Sequence, residues 1–229
     1  MSMGNITANL DTIRRRIAIS EQQYHRDPGS VRLLAVTKGR TVQEIRTALE
    51  CGQLDFGENY LQEAVSKMPA LDIPAINWHF IGPIQANKTR AIAEKFAWVH
   101  SLDRIKIARR LNDMRPDGQP GLNVCIELNL DNEASKSGIT PAELNDFAAE
   151  IRTLSRLNLR GLMAMPEPCA DFERQRYSFR RLYELYLQLK AESCPLDTLS
   201  MGTSNDMEAA IAEGATMVRI GTAIFGPRP

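Results

Sequence analysis

The feature that most constrains this chain is an alternation. Short apolar runs ending in small or polar residues are each followed by a segment of helical periodicity, and the unit recurs eight times. The strand candidates are Arg32 to Thr37, Leu54 to Phe56, Ile76 to Ile81, Trp98 to His100, Leu122 to Leu130, Leu157 to Ala164, Leu196 to Leu199 and Thr216 to Ile220. Between them, Thr41-Val42-Gln43-Glu44 is a capping box, and Thr140-Pro141-Ala142-Glu143 adds proline at the first helical position. Tyr177 to Ala191 carries a broad apolar face formed by Phe179, Leu182, Tyr183, Leu185, Tyr186 and Leu189. Ahead of all these, Ile6, Leu10, Ile13 and Ile17 share one stripe of a helix that should end near Asp27-Pro28-Gly29. Units of about 25 residues predict an α/β fold, a (β/α)8 TIM barrel. It would occupy residues 1–229 as a single domain, with 1–28 as an extra N-terminal helix packed on it. A doubly wound open sheet is the alternative, but no G-x-G-x-x-G follows the first strand.

Charge narrows the function. Lys plus Arg and Asp plus Glu are 28 each, so the chain lacks the basic excess of a non-specific nucleic-acid binder. The triplet Arg14-Arg15-Arg16 reads as a solvated helix face. No apolar stretch approaches membrane-spanning length, and the first residues have no apolar signal core, so the expectation is a cytoplasmic protein. Cys51, Cys125, Cys169 and Cys194 are widely spaced, which fits reduced thiols. His25, His79 and His100 have no metal-ligand spacing, and no metal is expected.

In such a barrel the working residues collect where strands end, because all the strand-to-helix loops open on that face. Lys38 follows the first strand, Gly57-Glu58-Asn59 the second, Gly82-Pro83 the third and Met165-Pro166 the sixth. Ser200-Met201-Gly202-Thr203-Ser204 follows the seventh, and Gly221-Thr222 the eighth. The last two loops are the usual phosphate site of barrels, where backbone N–H groups face the anion and Ser200, Ser204 and Thr222 would add hydroxyls. Ser204 is equally explained as a helix N-cap, and Asp206 would repel a phosphate unless turned outward. Lys38 is either a solvated charge or a nucleophile facing that pocket, which would suit a phosphorylated carbonyl compound held as a Schiff base. Arg219, inside the apolar run Val218-Arg219-Ile220, points either outward to a helix carboxylate or into the barrel toward a cofactor ring nitrogen.

The segments LLAVTK, DFGENYLQEA, WHFIGPIQANKTR, VHSLDRIKIARRLN, SKSGI, LRGLMAMPEP, LSMGTSNDMEAAI and MVRIGTAIFG run over nearly the whole chain. Together they resemble the YggS/PROSC-like pyridoxal phosphate homeostasis protein family. The resemblance implies a monomeric barrel like the N-terminal domain of alanine racemase, with pyridoxal 5′-phosphate as cofactor on Lys38. It places Asn59 near the cofactor, Ser200 and Ser204 at the phosphate end, Arg219 at the pyridine nitrogen, and Gly221 and Thr222 on the phosphate. Gly39-Arg40 departs from the Thr-Lys-Pro or Thr-Val-Pro usual after that lysine, and MGTSND from the common MGMSxD. An arginine at the ring nitrogen disfavours ring protonation and leaves a weak electron sink. Racemisation of the alanine racemase type would also need a tyrosine from a separate β-domain, for which the chain has no spare residues. The expectation is therefore a carrier that buffers or delivers pyridoxal phosphate to apo-enzymes rather than an enzyme. A racemase-like enzyme and a cofactor-free Schiff-base aldolase are the rivals, and Lys136 is a candidate second lysine.

Overall fold

In the computed structural model, which describes residues 3–131, 136–192 and 194–227, the apolar runs become parallel strands. They are β1 (Arg32–Val36), β2 (Asp55–Glu58), β3 (Asn77–Phe80), β4 (Trp98–Leu102), β5 (Leu122–Leu128), β6 (Leu157–Ala164), β7 (Thr198–Ser200) and β8 (Met217–Ile220). Each pairs with its sequence neighbour, and β8 returns to β1 in the register Arg32↔Met217 to Ala35↔Ile220, closing the barrel. The expected (β/α)8 architecture is present. Helices cover the outside while side chains fill the inside, so β4 and β8 are buried along their whole length.

The connecting helices start where local chemistry directs. Thr41 and Glu44 exchange the two capping-box bonds ahead of α2 (Val42–Glu50). Thr140 and Glu143 do the same before a short 3₁₀ turn that leads into α6 (Leu144–Arg152). α7 (Phe172–Ala191) is capped by Asp171 and buries Phe179, Leu182, Tyr186 and Leu189.

α1 (Met3–Gln23) buries the whole Ile6, Leu10, Ile13, Ile17 stripe. It packs on α2, on α8 (Met207–Ala212) and on α9 (Thr222–Phe225), the short helix after β8. It ends at Gln23 rather than near Gly29 because His25 adopts φ 54°, and the amides of His25 and Arg26 then bond back to Gln22 and Glu21. This is a Schellman closure with a histidine in the place usually taken by glycine. The Glu21 carboxylate accepts from the Gly29 and Val31 amides and turns the chain into β1. Arg14 donates to the Cys51 carbonyl and Arg16 pairs with Glu208, so only part of the basic triplet is a solvated face. Among the described residues no helix is long and apolar enough to cross a membrane.

Most strand boundaries move by one or two residues from expectation, and two of these shifts matter to the site. β2 runs through Glu58, which is fully buried, and β7 is shifted to end on Ser200 instead of Leu199.

Candidate functional site

Lys38 leaves β1 half-buried at the C-terminal mouth of the barrel, and its neighbours in sequence are fastened on both sides. The Thr37 hydroxyl donates to Glu58 Oε1 at 2.6 Å, and the Thr37 carbonyl accepts from Lys67 Nζ at 2.8 Å. Lys67, itself buried, also pairs with Glu58 at 2.9 Å and with Glu63 at 2.5 Å. Burial raises the Glu58 pKa, opposed by the Lys67 ammonium and the Thr37 hydroxyl. Gly39 takes φ 71°, a left-handed conformation that suits glycine, and gives its N–H to Glu63 at 2.5 Å. Arg40 is buried and donates to the carbonyls of Phe225 and Gly226 at the end of α9. The unusual Gly39-Arg40 pair therefore ties the lysine loop to the loop after β8.

Gly221 and Thr222 stand beside that loop. A Cβ on Gly221 would lie 3.3 Å from Val36, the last residue of β1, so the β8 exit and the lysine strand are in direct contact. The sequence allows Ser204 to cap α8, but Asp206 occupies that position and Ser204 Oγ instead accepts from Ala223 N–H at 3.3 Å, in the first turn of α9. The loops after β7 and β8 thus meet through this serine. Asp206 is not turned outward. Its Oδ1 accepts from the Thr203 amide at 2.5 Å and hydroxyl at 2.8 Å, and it lines a cavity of about 490 Å³ with Gly202, Thr203 and Arg219.

Arg219 points into the barrel and is 4% exposed. Nη1 donates to the Ser200 carbonyl at 2.5 Å and to its hydroxyl at 2.8 Å, and Nη2 to the Ala164 carbonyl at 3.0 Å. Burial lowers its pKa, with Asp206 and Glu127 acting the other way. Ser200, expected at the phosphate end, is placed differently. As the last residue of β7 it is turned inward and fully buried, with its hydroxyl held between Arg219 and His100 Nδ1, the latter at 2.7 Å. Behind it, His100 meets His79 at 2.9 Å and His79 meets Asp55 at 3.0 Å. The sequence alone assigns none of these three to the site. The available signal was a histidine inside each of two neighbouring apolar runs.

Asn59 lies across the mouth. It lines a second cavity of about 350 Å³ with Gly82, Ser101, Glu127, Lys136 and Met165, and its Oδ1 is buried with no hydrogen-bond partner. Gly82 is required here, since a Cβ would sit 2.0 Å from the Asn59 carbonyl oxygen. Burial, then repulsion from Asp103, pushes the Glu127 carboxyl up to about 7. Both cavities share Ala164, Met165, Pro166 and Pro168, so together they span the mouth from Asn59 to Arg219. Lys136 is on this wall; Ser135 of the SKSGI segment lies outside the described residues.

A closed parallel barrel with a lysine, a buried arginine and a serine-bridged pair of loops at its C-terminal mouth is a ligand-binding α/β barrel. The family described as alanine racemase, N-terminal domain, matches residues 6–229, and the chain belongs to that family. It is 55% identical to the pyridoxal phosphate homeostasis protein of Pseudomonas aeruginosa, over 99% of this chain and 97% of that one. It is 48% identical to the protein of the same name from Escherichia coli K12, over 99% and 98%. Among solved structures, PipY of Synechococcus elongatus with PLP bound superposes at a TM-score of 0.84 and 32% identity, covering 96% of this chain and 100% of that one. The alanine racemase of Corynebacterium glutamicum shares the fold at a TM-score of 0.69 and 18% identity, covering 98% of this chain and 62% of that one.

Proposed function

We propose that this protein binds pyridoxal 5′-phosphate as a Schiff base on Lys38 and serves vitamin B6 homeostasis as a carrier, without a robust reaction of its own. The observation that supports the reading is the contact of Val36, the end of the strand that leads into Lys38, with Gly221 at the β8 exit, beside the turn of Thr222 and Ser204. The residues present fit the group. Gly221, Thr222 and Ser204 would hold the phosphate, Arg219 would face the ring nitrogen, and the unpartnered Asn59 oxygen offers an acceptor inside the mouth. Ser200 would act through Arg219 rather than on the phosphate. The names of the Pseudomonas and Escherichia relatives and the PLP-bound PipY structure support the same reading.

Bound pyridoxal phosphate supplies an electrophilic carbonyl and a ring able to take up electron density. The permanent positive charge of Arg219 opposes protonation of the ring nitrogen and blunts the second property, which favours storage over catalysis. We read the protein as a cytoplasmic monomer that passes its cargo to apo-enzymes.

The test is borohydride reduction of the holoprotein followed by peptide mass spectrometry. The adduct should map to Lys38 and vanish in Lys38→Ala. Colourless protein with no adduct after incubation with pyridoxal 5′-phosphate would favour a cofactor-free aldolase. Proton exchange at the α-carbon of amino acids at enzyme-like rates, lost in Lys38→Ala, would replace the carrier with a racemase-like enzyme.

A further inference from the structure

Arg219 is a buried cation, yet among the described residues no carboxylate forms an ion pair with it. What it has is a chain of hydrogen bonds leading to a carboxylate on another strand. Ser200 Oγ lies 2.8 Å from Arg219 and 2.7 Å from His100 Nδ1, His100 Nε2 lies 2.9 Å from His79 Nδ1, and His79 Nε2 lies 3.0 Å from Asp55 Oδ1. Both rings are fully buried.

The carboxylate end and neutral rings together fix the direction of every proton. An ionised carboxylate only accepts, so His79 must carry its hydrogen on Nε2. A neutral His79 then accepts at Nδ1, which makes His100 the donor through Nε2. His100 accepts in turn at Nδ1, and the donor there is the Ser200 hydroxyl. Its oxygen is left to accept from Arg219. A guanidinium only donates, so the arginine end is compatible with this direction: the Ser200 oxygen accepts from Arg219 while its hydrogen goes to His100. The surroundings agree with neutral rings. His79 is stacked on Trp98 at 5.4 Å and faces Asp55 and Arg32, while His100 faces His79, Trp98, Arg32 and Arg219.

We propose that Asp55, His79, His100 and Ser200 are positioning residues, a one-way relay across the barrel interior that fixes the charge and aim of Arg219 at the ligand. Their effect on the ligand rests on the pyridoxal phosphate reading above; the direction of the relay does not. In a neutral chain of aligned donors each bond polarises the next, so the negative end at Asp55 is felt by the guanidinium without an ion pair.

The direction can be read without any ligand. Nitrogen NMR of the ¹⁵N-histidine-labelled apoprotein at pH 7 should show His79 and His100 both neutral, with hydrogen on Nε2. Hydrogen on Nδ1 of either ring, or a charged ring, overturns the relay while leaving cofactor binding untouched. The second arm is the affinity for pyridoxal 5′-phosphate, followed by absorbance. His100→Phe, which breaks the chain, should bind roughly tenfold more weakly or worse. His100→Gln, whose amide can accept from Ser200 and donate to His79, should recover most of the loss. A folded His100→Phe protein with unchanged affinity would overturn the positioning role. If wild type itself fails to bind, the functional reading falls and the tautomers still decide the relay.

Discussion

The two walls of the mouth are built in different ways. On the β1–β2–β8 side, Glu58, Lys67, Arg40 and Thr37 are all buried charged or polar groups bonded to one another or to backbone. On the β5–β6 side Leu128, Met165, Pro166 and Pro168 alternate with Glu127, Asn129 and Lys136, and Met165 is 56% exposed. The first wall borders Lys38 and the Gly221 turn, and the second borders most of the open cavity. Directional bonds between buried groups fix the first wall, and a mixed, more exposed surface bounds the space beside the second. A buried ion pair is an expensive way to hold a loop, and the Lys67–Glu58 pair marks this wall as one where placement matters.

The contrast can be broken most forcefully at Lys67. Lys67→Met leaves Glu58 buried without its cation and should cost about 3–5 kcal/mol in urea unfolding. A loss below about 1 kcal/mol would mean the wall does not depend on the pair. A smaller effect should come from Glu127 on the opposite wall. Its folded pKa of about 7 lies above the ordinary 4.5, so the folded state holds this proton more tightly than the unfolded chain does. Stability from this group is full below the ordinary value and is lost as pH rises toward 7. Wild type should therefore fall relative to Glu127→Gln across that window and run parallel to it above. Curves parallel throughout would show that Glu127 titrates normally. The smallest effect is expected at Met165, where Met165→Ser should stay within about 0.5 kcal/mol by thermal unfolding. A larger loss would mean the second wall is as firmly built as the first.

The barrel was legible because its signals are local. Strand alternation, the Thr41–Glu44 box and the Ile6–Ile17 stripe each lie within a few turns of sequence, and each formed as expected. Boundaries failed where a polar residue ends a buried strand. Glu58 and Ser200 look like loop residues until Lys67 and Arg219 are known to meet them. The site residues at strand ends followed from topology, but what each one touches did not. Ser204 fitted a helix cap by spacing, and only the fold brings the loops after β7 and β8 together. The relay was the least visible part. Its members are separated in sequence by 24, 21 and 100 residues, and only the register of neighbouring strands and the width of the barrel align them.

Arg40 carries a consequence of its own. Because its guanidinium grips the end of α9 while its backbone continues from Lys38, the span between the lysine and the β8 turn is set when the chain folds. The separation of the two loop backbones is therefore built in, and only the flexible stem of Lys38 is left to adjust the distance across it.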